Sequence, residues 1–399
     1  MTPISAKVAN PRWLETLLKH IETLKPVVDA QVTPDRVLRY LTALADAPAP
    51  STAASAMRGP VLRDLLHADG VKFGAGVEID FNFGNTGSTV MSTGRRDGAA
   101  RLWYFAHLDT ISYLVQPRSG DRYALVPFCY HLTREGSRPA RVYRYELARA
   151  AFTVCAEGEL ISEAGVPYFR PYDEMSVLRP GDRVVPVTTA RSTADGHFIG
   201  HIDNAGGVAA LAVAAPALAQ AGVQAMLAFP DEEEGPLGAG SQIMGRGGSR
   251  IVGPLPPPDL AIVADVQQAG GGLETTAPVG PLNSTRLGKG AVLSEFASLA
   301  RGAVTPPPLY ELARFWAARM VEAGVKVQES NNAYTSRSDD VSVLLKTPNI
   351  LLLGFPGFDR HFDNAEPTAN LFDIVDLAKA LVYASAIRPA LVALTRQET

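Results

Sequence analysis

Two periods of hydrophobic repetition run along the 399-residue chain, and the place where one gives way to the other divides it. NPRWLETLLKHIETL (10–24) and TPDRVLRYLTALADA (33–47) repeat apolar residues every three to four positions, which predicts amphipathic helices, the second with Thr33 as cap and Pro34 at its first position. Beyond residue 100 the apolar residues gather into short unbroken runs: RLWYFA (101–106), VQAMLAFP (223–230), LAIVADV (260–266) and NILLLGFPG (349–357). Runs of that length predict buried strands. GGVAALAVAAPALAQAG (206–222) and LYELARFWAARMVEAG (309–324), the latter started after TPPP, read as helices between them. Strands alternating with helices imply an α/β fold with a mostly parallel central sheet flanked by helices.

Residues 116–198 follow the other period. RYALVPFCYHL, ARVYRYELARAAFTVCAEGELI and GDRVVPVTTA alternate apolar and polar positions and are rich in Tyr, Val and Thr, so a β-rich insertion is expected there. It splits the α/β domain into segments 1–115 and 199–399. GPLPPPD and VTPPP are short enough to be loops or helix starts.

Composition narrows the picture. With 46% hydrophobic and 20% charged residues the chain is ordinary globular protein, long enough for a large core or two domains. A net charge of -4 offers no basic stripe for a phosphate backbone, which argues against nucleic acid and for a small-molecule substrate. Cys129 and Cys155 are too few for a disulfide framework and read as core thiols in a reducing cytosol. The opening MTPISAKVANPRWLETLLKH lacks a signal-peptide core, and no apolar run approaches about 18 residues, so a cytoplasmic protein without membrane contact is expected.

Five candidate ligands converge on one edge of the predicted sheet. His107 follows LWYFA, Glu233 with Glu232 follows AMLAFPD, Asp265 lies in AIVAD and His361 follows ILLLGFPGFDR, each at or just beyond the end of a predicted strand. In open parallel sheets the ligand crevice lies along that edge. Asp203, in HIDNAGGVAAL, stands where a helix begins and can join it. Two imidazoles and three carboxylates suit Zn, Mn or Co better than Ca or Mg. A bridging carboxylate would let two ions lie about 3.5 to 4 Å apart and activate one water together. Asp109, two residues after His107, can take the hydrogen bond of the other ring nitrogen and fix the ring's orientation. His197 and His201 are spaced as a helical ligand pair but sit among glycines in what reads as an extended arm, and His67 and His131 read as structural.

Taken in order, AHLDTISYLV, RPGDRVVPV, HIDNAGGVAAL, DEEEGPLGA, AIVADV, TRLGKGAV and RHFDNAEP resemble the successive motifs of the cocatalytic metallo-aminopeptidase clan, and most closely those of the tetrahedral and glutamyl aminopeptidases. The likeness runs from about residue 35 to residue 385, insertion included. It implies a zinc-peptidase-like fold, a homo-oligomer and one or two divalent transition-metal ions. It also implies roles: His107, Asp203 and Asp265 on one ion, Asp203, Glu233 and His361 on the other, and Glu232, first of the EExG pattern, as general base. Asp231 and Glu234 would then serve the loop, and Gly235, Gly238 and Gly240 would let it turn beneath the ions.

The chain also departs from that pattern. Thr110 stands where these peptidases carry glutamate, DNA (203–205) replaces DDR, and Glu366 lies one residue further from His361 than usual. Hydrolysis of a C-N bond is therefore expected, with the peptide-receiving residues altered. Within the clan the whole-chain pattern resembles an aminohydrolase of a small aromatic amine such as 5-nitroanthranilate, which implies release of ammonia and 5-nitrosalicylate. A metallo-aminopeptidase is the alternative, and a non-catalytic binding protein of the same fold a remote one. Arg286, Lys289 and Arg337, cations in predicted loops, are candidates for clamping a substrate carboxylate.

Overall fold

A computed structural model describes residues 11–94, 100–235, 245–270, 283–333 and 335–396. Gly238 and Gly240 of the expected turn lie outside the described residues.

Four parallel strands form the centre of the larger sheet. Ala225–Phe229, Leu102–Phe105, Leu260–Val263 and Ile350–Phe358 pair side by side, with Ala228, Phe105, Val263 and Leu352 in register. They therefore end along one edge. Each is a run of apolar residues with both faces covered, and every residue of the first three is buried. The flanks are antiparallel: Val77–Asp80 and Thr89–Thr93 extend one side, while Thr368–Asn370, His197–Ile199 and Arg191–Ser192 extend the other.

Helix Ile202–Gln220 lies against this sheet. It has no polar face, so it is stable only where both sides are covered, and helices Pro34–Asp46 and Leu371–Ala384 pack on it from outside. By length and hydropathy it could cross a membrane, but 89% of that window is buried within the protein. Small residues let its first turn approach the strands closely. A Cβ on Gly206 would lie 2.4 Å from the Phe355 ring, and one on Gly207 would lie 2.8 Å from the Ala264 carbonyl. The helix start is thereby pressed against the strand ends.

The insertion is a closed barrel. Tyr113–Ser119, Arg122–Pro127, Val166–Pro171, Ala151–Glu163, Gly136–Glu146 and Arg183–Pro186 pair in that order around it. Alternation along the two long strands points Ala140, Val142, Ala156 and Leu160 inward against Tyr113, Val115, Phe169 and Val184. The barrel strands span 113–186, so the expected segment 116–198 is displaced at both ends. Residues 191–199 follow the barrel directly in sequence, but Arg191–Ser192 and His197–Ile199 return to the larger sheet through Thr368–Asn370, and neighbourhood in sequence does not say which sheet a strand joins. Cys129 is buried, Cys155 is partly so, and both are free thiols.

Candidate metal centre

The shared edge gathers the candidate residues. His107 and Asp265 each stand two residues beyond a central strand, His361 three beyond Ile350–Phe358, and Asp203 in the first turn of Ile202–Gln220. His107 Nε2 lies 3.1 Å from Asp203 Oδ1, 3.6 Å from Asp265 Oδ1 and 3.7 Å from Glu233 Oε2. His361 Nε2 lies 3.2 Å from both Asp203 Oδ2 and Glu234 Oε2. Asp203 thus faces the two imidazoles with different oxygens.

These atoms approach without hydrogen-bonding one another. Among the described residues His107 Nε2, His361 Nε2, Asp203 Oδ1 and Glu234 Oε1 are buried and lack a partner. Such orphaned atoms are costly unless something is shared between them. Donors about 2.1 Å from one ion at tetrahedral corners stand about 3.4 Å apart, the middle of the separations found here. Each ring is also oriented from behind. Nδ1 of His107 donates to the Asp109 carbonyl at 3.1 Å and Nδ1 of His361 to the Tyr130 carbonyl at 2.7 Å, which leaves both Nε2 lone pairs facing the carboxylates. Donor chemistry, spacing and tautomers all fit divalent cations.

Asp109 works differently from the expectation. Its carbonyl, rather than its carboxylate, takes the His107 hydrogen bond; Oδ1 lies at 3.5 Å from that ring. The carboxylate instead accepts from the amides of Glu233 and Glu234 and from Ser51 Oγ. It ties the acidic loop to the histidine strand.

The four acids of DEEE divide in two. The Asp231 carboxylate accepts from the amides of Thr52, Ala54 and Glu232. Glu232 takes a left-handed backbone conformation, φ +65°, and its carboxylate pairs with Arg250 and Arg246 outside the cluster. Only Glu233 and Glu234 enter the cluster. Glu232, the expected base, is therefore not among the convergent groups, whereas Glu234, expected to serve the loop, is. Placement is set by distance from the strand end at Phe229 and by the turn at Glu232, while the EExG pattern is anchored on Gly235.

Burial and charge act together here. Burial opposes protonation of His107, but Glu233 and Asp265 overcome it and hold the ring well above the usual imidazole range; Glu234 and Asp203 do the same for His361. Burial pushes Glu233 and Glu234 up, only partly offset by His107 and His361 respectively. Against burial, the two facing histidines and the charge of Arg360 hold Asp203 well below the carboxylate range. The cluster without an ion keeps protons that an ion would displace.

Three further residues belong to this environment and were not among the expected site residues. Arg360 Nη1 lies 3.1 Å from Asp203 Oδ2. Arg58 is fully buried and donates to the carbonyls of Ala47 and Leu108, tying the end of helix Pro34–Asp46 to the residue after His107. Asp339 is fully buried, both oxygens lack partners among the described residues, and burial raises it to about 8, with His107 opposing and Asp109 and Asp265 adding. Arg360 was legible only as the neighbour of His361.

The other expected residues lie apart. Arg286 turns onto the Asn283 and Thr285 carbonyls, Lys289 is exposed, and Arg337 lies beside Gly302. Among the described residues none of the three makes an ion pair or hydrogen bond with the cluster. His201 Nε2 donates to the Pro186 carbonyl, His197 pairs with Asp195, and His131 hydrogen-bonds Tyr113 and Ser162. Glu366 pairs with Arg191.

Comparison with known proteins bears on this geometry. The sequence pattern of Peptidase family M20/M25/M40 matches residues 180–386. No curated protein matches the chain in sequence. Among solved structures, a TET aminopeptidase from a marine sediment Thaumarchaeota archaeon is 17% identical with a TM-score of 0.66, over 88% of this chain and 95% of its own. An aminopeptidase from the archaeon Desulfurococcus kamchatkensis is 16% identical with a TM-score of 0.65, over 88% and 94%. The Pyrococcus horikoshii TET1 peptidase, which can assemble into a tetrahedron or a large octahedral shell, is 16% identical with a TM-score of 0.63, over 88% and 99%. At that identity these structures establish a common fold.

Proposed function

Because the chain belongs to peptidase family M20/M25/M40, we propose that this metal-dependent hydrolase of C-N bonds is a metallo-aminopeptidase. The observation that supports it most is the placement of Asp203 between His107 and His361, one oxygen toward each. Asp203 would bridge two sites, His107 and Asp265 completing one, Glu234 and His361 the other. Mn, Zn or Co suits this mixed nitrogen and oxygen set. Bound there, such ions supply an activated water and polarise the substrate carbonyl.

The protein's own groups do the rest. Glu233, beside the first site with Oε2 3.7 Å from His107 Nε2, is suited to take the water's proton on its carboxylate and return it to the leaving nitrogen. Asp109 holds Glu233 in place through its amide. Asn204 bonds the Ala264 carbonyl and the Gly207 amide, which keeps Asp203 opposite Asp265. A homo-oligomer is part of the proposal, on the assembly of the TET1 neighbour.

One observation favours a second reading. Thr110 Oγ1 donates to His201 Nδ1 at 3.3 Å, and the Asn204 amide is committed to the backbone, so neither altered position offers a carboxylate to a peptide's terminal amine. That suits the aminohydrolase of an aromatic amine. Metal-loaded protein incubated with aminoacyl p-nitroanilides and, separately, with 5-nitroanthranilate distinguishes them. Nitroaniline release is expected. Ammonia release from 5-nitroanthranilate alone would replace the first reading by the second, and activity on neither, with metal bound, would leave the non-catalytic one.

A further inference from the structure

Beside the metal centre runs a groove of about 480 Å³, between the barrel residues Arg138 and Pro139, the segment leaving the barrel at Val187 and Thr188, and the loop from Phe362 to Glu366. Phe362 directly follows His361, so the groove begins one residue from a candidate ligand. We propose that it is an anion subsite in which Arg138 binds the carboxylate of a small organic acid or of a short peptide's C-terminus.

The groove is built around this one arginine. Its guanidinium lies over the Phe362 ring, 4.9 Å from the centroid, and Nη2 donates to Thr133 Oγ1 at 3.2 Å. Thr133 Oγ1 in turn donates to the Phe362 carbonyl at 2.9 Å, so ring and guanidinium are fixed relative to each other. Phe362 itself has a φ of +59°, a left-handed conformation costly for a bulky residue and held by that bond and by its amide on the Asp359 carbonyl. The surrounding structure holds the ring where it supports the arginine.

Charge in the groove is unbalanced at this position. The other cation, Arg191, is paired with Glu366, whose second donor is Thr188. Arg138 is half-buried and, among the described residues, has no ion pair; Asp359 and Asp363 act on it only from a distance. Arg36 and Arg144, similarly enclosed, both grip carboxylates. A guanidinium held on an aromatic face beside open space has donors placed for a bidentate carboxylate. Phe362, Pro139 and Val187 provide apolar surface for the body of the ligand. The volume lies in the range of small-ligand sites and suits one or two residues or a single aromatic ring.

That this carboxylate belongs to a substrate rests on the hydrolase reading; the binding does not, and two assays separate the two. Calorimetry with benzoate and benzamide is expected to show benzoate binding to the wild-type protein, about tenfold weaker binding in Arg138→Gln, partial retention in Arg138→Lys, and no dependence of benzamide on residue 138. Kinetics with a dipeptide and its C-terminal amide are expected to favour the acid about tenfold in the wild type through KM, with the ratio falling to near 1 in Arg138→Gln at unchanged metal content. Benzoate binding equal in wild type and Arg138→Gln overturns the subsite. Arg138-dependent benzoate binding in a protein that cleaves no peptide overturns the peptidase reading and leaves the subsite standing. If Arg138→Gln does not fold, failure of Arg138→Lys to retain any benzoate binding in a folded protein overturns it equally.

Discussion

The two halves of the metal centre are held by different parts of the molecule. The His107 half grows from the sheet: His107 and Asp265 extend neighbouring parallel strands paired Phe105 to Val263, and Asp109 and Arg58 brace the chain behind the histidine. The His361 half hangs on a loop whose imidazole is oriented by a carbonyl of the barrel, Tyr130, and whose shared oxygen already carries Arg360. One half inherits the rigidity of four strands; the other depends on how the insertion docks. A mixed site of this kind separates a firm binding position from an adjustable one, and each half can be probed alone.

The acid run offers the largest expected contrast. Glu233 faces the His107 half and Glu232 faces Arg246 and Arg250. Glu233→Gln is expected to keep its metal and lose about 10² or more in turnover, as loss of a general base does, while Glu232→Gln stays within about threefold of wild type. Steady-state rates with metal analysis on the same preparations decide it. The reverse order of effects would return the base to Glu232.

Metal content gives the next contrast. His107→Ala removes a donor that faces three carboxylates, whereas His361→Ala removes one that faces two beside an arginine. His107→Ala is expected to weaken metal retention on dialysis by about 100-fold or more, and His361→Ala by about tenfold at the second equivalent only. Equal losses in the two variants would mean that the halves are not distinct.

That asymmetry also marks what the sequence could show. The His107 half was legible because apolar runs identify strands, and a polar residue just past a buried strand has few places to go; His107 and Asp265 followed from that argument, and Asp203 from a helix start. The DEEE run was not, because a carboxylate's direction depends on one backbone conformation, φ at Glu232, that no composition or period encodes. The barrel was legible as alternation but not in its limits, since 191–199 follows it directly in sequence and pairs elsewhere. Asp339 and Arg58 escaped because their significance is burial beside the site, a property of the packed chain. The metal-free cluster makes that burial measurable.

The smallest expected effect concerns pH in the absence of metal. Glu233, Glu234 and Asp339 have folded-state pKa values above their unfolded ones, mainly through burial, and Asp339 reaches about 8. Such acids bind more protons folded than unfolded, so their contribution is complete below about pH 4 and is lost as pH rises toward the folded value. His107 and His361 are raised too, so theirs is present below about pH 6.5 and falls in the same direction. Asp203 runs the other way, its contribution present above the ordinary carboxylate range and lost on acidification. Chelated protein is therefore expected to lose stability between pH 5 and about 8, and added metal to reverse the loss. Asp339→Asn, beside the His107 half, removes one charge from that balance and is expected to gain stability at pH 8, with a much smaller gain at pH 5. Asp363→Asn sits beside the His361 half, where burial raises the acid but His361, Arg360 and Arg138 all offset it, so its gain is expected to be smaller. Urea unfolding of both variants in chelator at the two pH values tests the ordering. Equal gains at pH 8, or a gain for Asp339→Asn that does not depend on pH, would mean that buried charge is shared evenly between the halves.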